Sequence, residues 1–437
     1  MILTIVLQRT CELGFSKIVG LKDTAQSTTT TKRGASKYML CGIKDSMGPL
    51  SNIVIPDLKF SLNLGVSQIQ FSLTDIKIAN IIVADAAVDI NGQDSQVALL
   101  NCSVTIQFQW QMQQQSYPFA TDKGSGKIII KNGQLNGVAG SSVDTDECPG
   151  HMIINIKQAK VSYESLNILL DGGDSWFFQS IINLLLAEIE EPLMNALSDI
   201  LVKAFVKLVN NVFESNRQLF DYANHQESGI VKDERYTSGI QAGEGYISLL
   251  MTGYIFQRDN LRDDFVAPQM LNKVTYNKFN NDMQITIHES AINNAFYTFH
   301  KYENIYSGPT YQVLQAPKIT FYNAAAVLSL QVKVNGSVIN INLLAELQHE
   351  NNAGEQRAQV YFNFKTYEAE CVDSSLNVEQ VQAEVVSHMN QVIKFACYQL
   401  SYTHLTELND YTHMLDPVEK VIRLVGPEEY ECKGARQ

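Results

Sequence analysis

Residues 52–90 read NIVIPDLKFSLNLGVSQIQFSLTDIKIANIIVADAAVDI, and this stretch decides the fold. Ile69, Phe71 and Leu73 lie two apart, and Ile76 and Ile78 resume the same step. Successive side chains of a strand point to opposite faces, so the alternation makes one face apolar and the other polar. Strands of this kind belong to an antiparallel sheet that is packed on one side and wet on the other. The texture continues through SVTIQFQWQM (103–112), KIIIKNGQLNGVAG (127–140) and HMIINIKQAKVSYESLNILL (151–170). The first third of the chain is therefore predicted as a long β meander.

Outward from the meander the period changes. Between Asp174 and Ala223, apolar residues recur at steps of three and four, through Phe178, Ile181, Ile182, Leu185, Ile189, Leu193, Leu197 and on to Val212. That is the apolar stripe of one long amphipathic helix. Asp174 or Ser175 can cap its start, and Pro192 removes a backbone donor, so a bend or break is expected there. Before the meander, DTAQSTTTTKRGASKY (23–38) has no apolar face and reads as a loop. After the helix, DYANHQESGIVKDERYTSGIQAGEG (221–245) is polar and glycine-containing, and reads as an inter-domain connection. The second half repeats the order. EGYISLLMTGYIFQ (244–257) alternates, and NDMQITIHESAINNAFYTFHKYEN (281–304) starts as a strand and turns helical near Glu289, with Ile292, Phe296 and Phe299 on one face. Alternating runs follow, broken at Asn335-Gly336, a pair that tolerates positive φ and marks a hairpin. Leu376–Leu400 reads as another amphipathic helix, through Val381, Val385, Met389 and Val392. The fold class is α+β with two domains, divided at 1–235 and 236–437, since 437 residues exceed one ordinary core.

Composition narrows the function. The formal net charge is −13 with no basic run beyond Lys32-Arg33, which excludes nucleic acid as a partner. Seven cysteines (Cys11, Cys41, Cys102, Cys148, Cys371, Cys397, Cys432) include no CxxC pair, so neither zinc nor a redox motif is indicated and one thiol at least stays unpaired. No apolar run is long enough to span a bilayer. Met1–Leu7 is apolar but lacks a basic flank and a small-residue cleavage site, and is expected to be a buried strand rather than a signal peptide. GxSxG, HExxH, P-loop and GxGxxG motifs are absent. GSGKI (124–128) lacks the upstream glycine and the Ser/Thr of a P-loop. His288-Glu289-Ser290 holds catalytic residue types, but neighbours on a strand diverge to opposite faces. Asn101-Cys-Ser and Asn335-Gly-Ser are glycosylation sequons.

Several segments, in order along about 90% of the chain, resemble the family of bactericidal/permeability-increasing protein, lipopolysaccharide-binding protein and the plasma lipid-transfer proteins, the tubular lipid-binding superfamily. IVLQRTCELGFSKI (5–18) resembles the family's first strand and helix, and IPDLKFSLN (55–63) its IPD strand. GVSQIQFSLTDIKIANI (65–81) is similar to the strand run that follows, and IQFQWQM places Trp110 near the family's tip tryptophan. EGYISLLMTGYIF (244–256) resembles the start of the second barrel, DDFVAPQM (263–270) the FAPP element and KITFYNAAAVLSLQV (318–332) a later strand. NDMQITIHESAINNAFYTF (281–299) is similar to the family's strand-to-helix step and is the most specific of these.

The resemblance implies a boomerang of two pseudo-duplicated antiparallel β-barrels, each closed by a long amphipathic helix and joined by a central sheet. It implies acyl-lipid or phospholipid pockets, no catalysis, no cofactor besides bound lipid, and an extracellular or secretory location, with an intracellular one as the alternative. Phe178, Ile182, Leu185 and Ile189 would line the first pocket, and Ile292, Phe296, Val385 and Val392 the second. Phe108, Trp110, Tyr117 and Phe119 have two readings: contact with a transient membrane surface, where aromatic residues favour the interface, or a hairpin whose alternate residues are core. The chain departs from the family pattern in three places, the first being the weak signal-peptide character of Met1–Leu7. No cysteine lies in 174–223, so the family's bridge from a strand (here Cys148) to the helix is expected to be missing. Residues 105–121 hold no charge and six glutamines, so lipopolysaccharide, whose phosphates need Arg or Lys, is not an expected ligand. A structural subunit of a larger assembly, bound to protein partners, is the rival reading.

Overall fold

The computed structural model describes residues 24–46, 55–63, 68–91, 94–117, 119–144, 150–173, 219–222, 227–243, 245–258, 281–322, 325–352, 357–371, 376–394, 396, 398–401 and 411–426, with single positions 194, 195, 198, 202, 203, 206 and 210. The expected first strand at Met1–Leu7 and the expected cap and bend at Asp174 and Pro192 lie outside the described residues.

Strand β1 (Gln26–Thr31) runs directly into helix α1 (Lys32–Ser46). The meander follows as β2 (Leu58–Asn63), β3 (Gln68–Ile82), β4 (Asp85–Asn91), β5 (Asp94–Gln114), β6 (Thr121–Val143), β7 (Met152–Ser162) and β8 (Ser165–Asp171). These form one sheet of order β2-β3-β5-β6-β7, with β4 on β5 and β8 on β6. The strands run to 23 residues, and four bulges interrupt the β3–β5 and β5–β6 ladders. Asp75, Asn101 and Asn132 take positive φ (51°, 52° and 51°) beside breaks in the ladder. At these three positions one residue is inserted, so the buried series in β3 steps from Leu73 to Ile76 and in β5 from Leu99 to Cys102. Asp and Asn occupy these positions because their short polar side chains tolerate the left-handed region.

The rest of the chain supplies β9 (Leu219–Asp221), β10 (Ile230–Asp233), β11 (Gln241–Ala242), β12 (Tyr246–Met251), β13 (Tyr254–Gln257) and β14 (Met283–His288). Helix α2 (Glu289–Glu303) comes next, then β15 (Gln312–Val313), β16 (Lys318–Tyr322), β17 (Ala325–Val334), β18 (Ser337–Asn352) and β19 (Arg357–Cys371). Helix α3 (Val378–Val392), β20 (Tyr398–Ser401), β21 (Thr412–Asp416) and β22 (Val421–Val425) complete the series. They build a six-stranded sheet β11-β12-β1-β14-β22-β21, a three-stranded sheet β13-β10-β9, and a sheet β15-β17-β18-β19-β20 with β16 on β17. The fold is sheet-rich α+β, and among the described residues no sheet closes into a ring. Asn335 and Gly336, at φ 48° and 94°, make the β17–β18 hairpin as their sequence predicts.

Three expectations are corrected. Residues 26–31 are not loop: β1 is an inner strand between β12 and β14, because threonine is β-branched and its hydroxyl finds partners there. Thr29 Oγ1 and Ser248 Oγ are 2.9 Å apart, and Thr30 Oγ1 donates to the Asp282 carbonyl at 2.8 Å. Residues 230–236 are not a solvated connection either; every one is buried. Their charges cancel locally, with Lys232 Nζ 2.6 Å from Glu234 Oε1 and Arg235 Nη2 2.7 Å from Asp233 Oδ2. The compact units accordingly do not follow the division at 235/236. One comprises Met1–Gly34, Ser141–Ile153 and Glu214–Lys433; the other comprises Ala35–Gly140, Ile154–Phe213 and Gly434–Gln437. Finally, α3 stops at Val392 rather than reaching Leu400, since Tyr398–Ser401 is drawn into pairing with β19. Cys41 on α1 is disulfide-bonded, while Cys102 and Cys371 carry free thiols.

Candidate functional site: the apolar interiors

Each unit has its own apolar interior. In the unit built on the meander, one face of the sheet is a continuous apolar wall. It includes Ile69, Phe71 and Leu73 of β3, Val104 to Met112 at alternate positions of β5, Ile128 and Ile130 of β6, and Leu166 and Ile168 of β8. Met194 is helical and buried against this wall. Asn210, also helical, clamps the strand opposite: its Oδ1 accepts from Ile154 N at 2.8 Å and its Nδ2 donates to Ile154 O at 3.3 Å. Phe178, Ile182, Leu185 and Ile189 lie outside the described residues.

Phe108 and Trp110 belong to the wall, not to an outer surface; each is only 2% exposed. The reason lies in the paired strand. Trp110 faces Gly124 and Phe108 faces Gly126 across the β5–β6 ladder. A Cβ on Gly126 would stand 2.4 Å from Phe108 Cζ, and one on Gly124 would stand 2.8 Å from Trp110 Nε1. The two rings lie over bare glycine backbone, and the indole N–H donates to Ser125 O at 2.9 Å. The GSG triplet is thus a seat for two aromatic rings. Tyr117 and Phe119 are different. They sit in the β5–β6 turn, 86% and 63% exposed, with Phe119 at φ 57°. Phe119 N donates to Ser116 O at 2.8 Å, which fixes the turn.

In the other unit, Ile292 and Phe296 of α2 and Val385 of α3 are buried in a single core with the inner faces of β16 to β19, and Val392 packs half-buried against it. The structure therefore brings together all four positions named for this half. Sequence reasoning missed the device that holds the helices in place. Asn293 Oδ1 accepts from Ile319 N (2.8 Å) while Nδ2 donates to Ile319 O (3.0 Å). Asn390 does the same to Phe364 (2.7 and 2.9 Å). Asn294 and Thr298 share the N–H and C=O of Ile255. Each helix side chain acts as an extra strand, satisfying backbone groups that would otherwise be buried unpaired. The available signal was asparagine inside an apolar helical stripe, a position it rarely favours without a partner.

The titratable groups here are structural. His288 ends β14 and caps α2: its Nδ1 accepts from Ser290 N at 3.1 Å and lies 2.8 Å from Ser290 Oγ. The two residues therefore do meet, because the chain turns helical between them. Burial, and secondarily Lys420, push the His288 imidazole down to about 4 from the usual 6.5. With Nδ1 engaged and both residues buried, the pair is no general base for an incoming substrate. Lys232 Nζ donates to Gln26 Oε1 (2.9 Å), to Glu234 and to the Gln399 carbonyl, and lies 4.0 Å from the centre of the Tyr398 ring. Burial lowers its pKa, opposed by Glu234. No group of three or more metal-ligating side chains, and no helix long and apolar enough to cross a membrane, occurs among the described residues.

This arrangement of long antiparallel strands and amphipathic helices is similar to a known fold. The crystal structure of lipopolysaccharide-binding protein matches over 93% of this chain and 99% of its own, at 15% identity and a TM-score of 0.56. Takeout 1 of Epiphyas postvittana (15% identity, 41% of this chain, 93% of its own, TM-score 0.29) and P47 of Clostridium botulinum E1 (10%, 93%, 100%, 0.25) are fainter likenesses. No family model and no curated protein matches the sequence.

Proposed function

We propose that the chain binds acyl lipid within its apolar interiors, each unit acting as a β-barrel closed by an amphipathic helix, and carries out no catalysis. The observation that carries this reading is the match, over 93% of the chain, to the fold of lipopolysaccharide-binding protein, supported by the two continuous apolar walls. Removing one CH₂ from water is worth about 0.8 kcal/mol, so a slot for a dozen methylenes yields on the order of 10 kcal/mol before association costs. No reacting residue is needed for that task. The exposed Tyr117 and Phe119 would meet the surface from which lipid is taken, since amphipathic rings settle at the water–bilayer boundary. An uncharged, glutamine-rich turn suits neutral phospholipid better than an anionic glycolipid. The Cys41 disulfide supports an oxidising, secretory-pathway or extracellular location.

Native mass spectrometry of gently purified protein, followed by solvent extraction and lipid analysis, tests the proposal. Phospholipid or neutral lipid near one or two per chain is the expected result. An empty chain that also takes up no fluorescent phospholipid, or one that arrives with protein partners at a fixed ratio, overturns it in favour of a scaffold.

A further inference from the structure

His349 and His413 form a close pair of imidazoles. They lie on different sheets of one unit: His349 on β18, one inward step beyond the buried Leu347, and His413 on the edge strand β21, in phase with the buried Tyr411. Their Nδ1 atoms are 3.0 Å apart, with ring centres 5.1 Å apart and planes at 80°. His413 is exposed and His349 half-buried, so solvent reaches the pair.

We propose that this pair is a two-histidine binding site for a late first-row divalent transition ion, Cu²⁺ above all. Two nitrogens facing each other share one proton at best, and a metal ion replaces that proton with two bonds. With metal–nitrogen bonds of about 2.0–2.1 Å, ligands at 90° are about 2.9 Å apart and tetrahedral ones about 3.4 Å. The observed 3.0 Å lies close to the right-angle bite, the geometry of tetragonal Cu²⁺ or Ni²⁺, and imidazole affinity peaks at Cu²⁺. Nearby charges are otherwise engaged: Glu350 accepts from Tyr361 Oη and Lys394 Nζ, and Arg423 pairs with Asp416 and Glu419. No third ligand joins among the described residues, so water or an external ligand completes the coordination. The ion would tie β18 to β21 across two sheets. This site needs no bound lipid, and its test is independent of the lipid reading.

Titrating Cu²⁺ alone into the intact chain at neutral pH, followed by calorimetry and electron paramagnetic resonance, decides the matter. The expected result is one ion per chain with superhyperfine splitting from two imidazole nitrogens. His349→Gln and His413→Gln should each weaken binding by at least about tenfold, the least that disturbing a ligand shell costs. His413 is exposed, so its variant keeps the fold, checked by an unchanged melt without metal. An unchanged binding midpoint in either variant, or no saturable binding at all, overturns the proposal.

Discussion

Acidification should loosen helix α2 through one residue, His288. Its Nδ1 accepts the Ser290 N–H only while unprotonated, and burial holds the imidazole at about 4 against an unfolded value of 6.5. The unfolded chain therefore binds this proton first as pH falls. Stability contributed by the neutral ring is complete above about 6.5, declines through the window from 6.5 to about 4, and declines no further below it. At about 1.4 kcal/mol per pH unit, the loss amounts to about 3 kcal/mol. His288→Asn keeps a capping side chain but does not titrate. Urea midpoints measured across that pH range should fall more steeply for the native chain than for the variant, by that difference. Because α2 carries Ile292 and Phe296, uptake of a fluorescent phospholipid should fall over the same window in the native chain alone. Parallel pH profiles for the two proteins would refute the reasoning.

Four further outcomes follow from the geometry. Gly126→Ala places a methyl 2.4 Å from the Phe108 ring and should destabilise by about 1–3 kcal/mol, with Phe108→Leu restoring part of it; thermal melts of the two single variants and the double variant check this. Asn390→Leu leaves the Phe364 N–H and C=O unpaired and should cost on the order of 1–3 kcal/mol for each group left unsatisfied, read by denaturant melts. Lys232→Met strands Glu234 in the interior and should cost about 3–5 kcal/mol, whereas Lys232→Met with Glu234→Met should recover most of it. Tyr117→Ser with Phe119→Ser should leave the melting temperature within about 1 °C, since both are exposed, while abolishing co-sedimentation with neutral phosphatidylcholine vesicles.

The amino-acid sequence by itself determined the elements whose period is carried by their own residues. The alternation around Ile69–Leu73, the strand-to-helix change at Glu289 and the Asn335-Gly336 turn are local consequences of side-chain direction and backbone sterics, and each lies where the pattern puts it. So does the gathering of Ile292, Phe296 and Val385 into one core, because helical spacing fixes which face is apolar. Only the tertiary structure decided the rest. QSTTTT becomes an inner strand because β12 and β14, over two hundred residues away in sequence, offer it ladders on both sides. The polar run Ile230–Tyr236 is buried because its opposite charges pair with one another and with Gln26, which no pattern of hydrophobicity reports. Whether Trp110 and Phe108 faced solvent or core was settled by two glycines on the neighbouring strand, whose position depends on register. Likewise the asparagine clamps and the His349–His413 pair join residues distant in the chain. Partners of that kind come together only once the long-range pairing of strands has placed them.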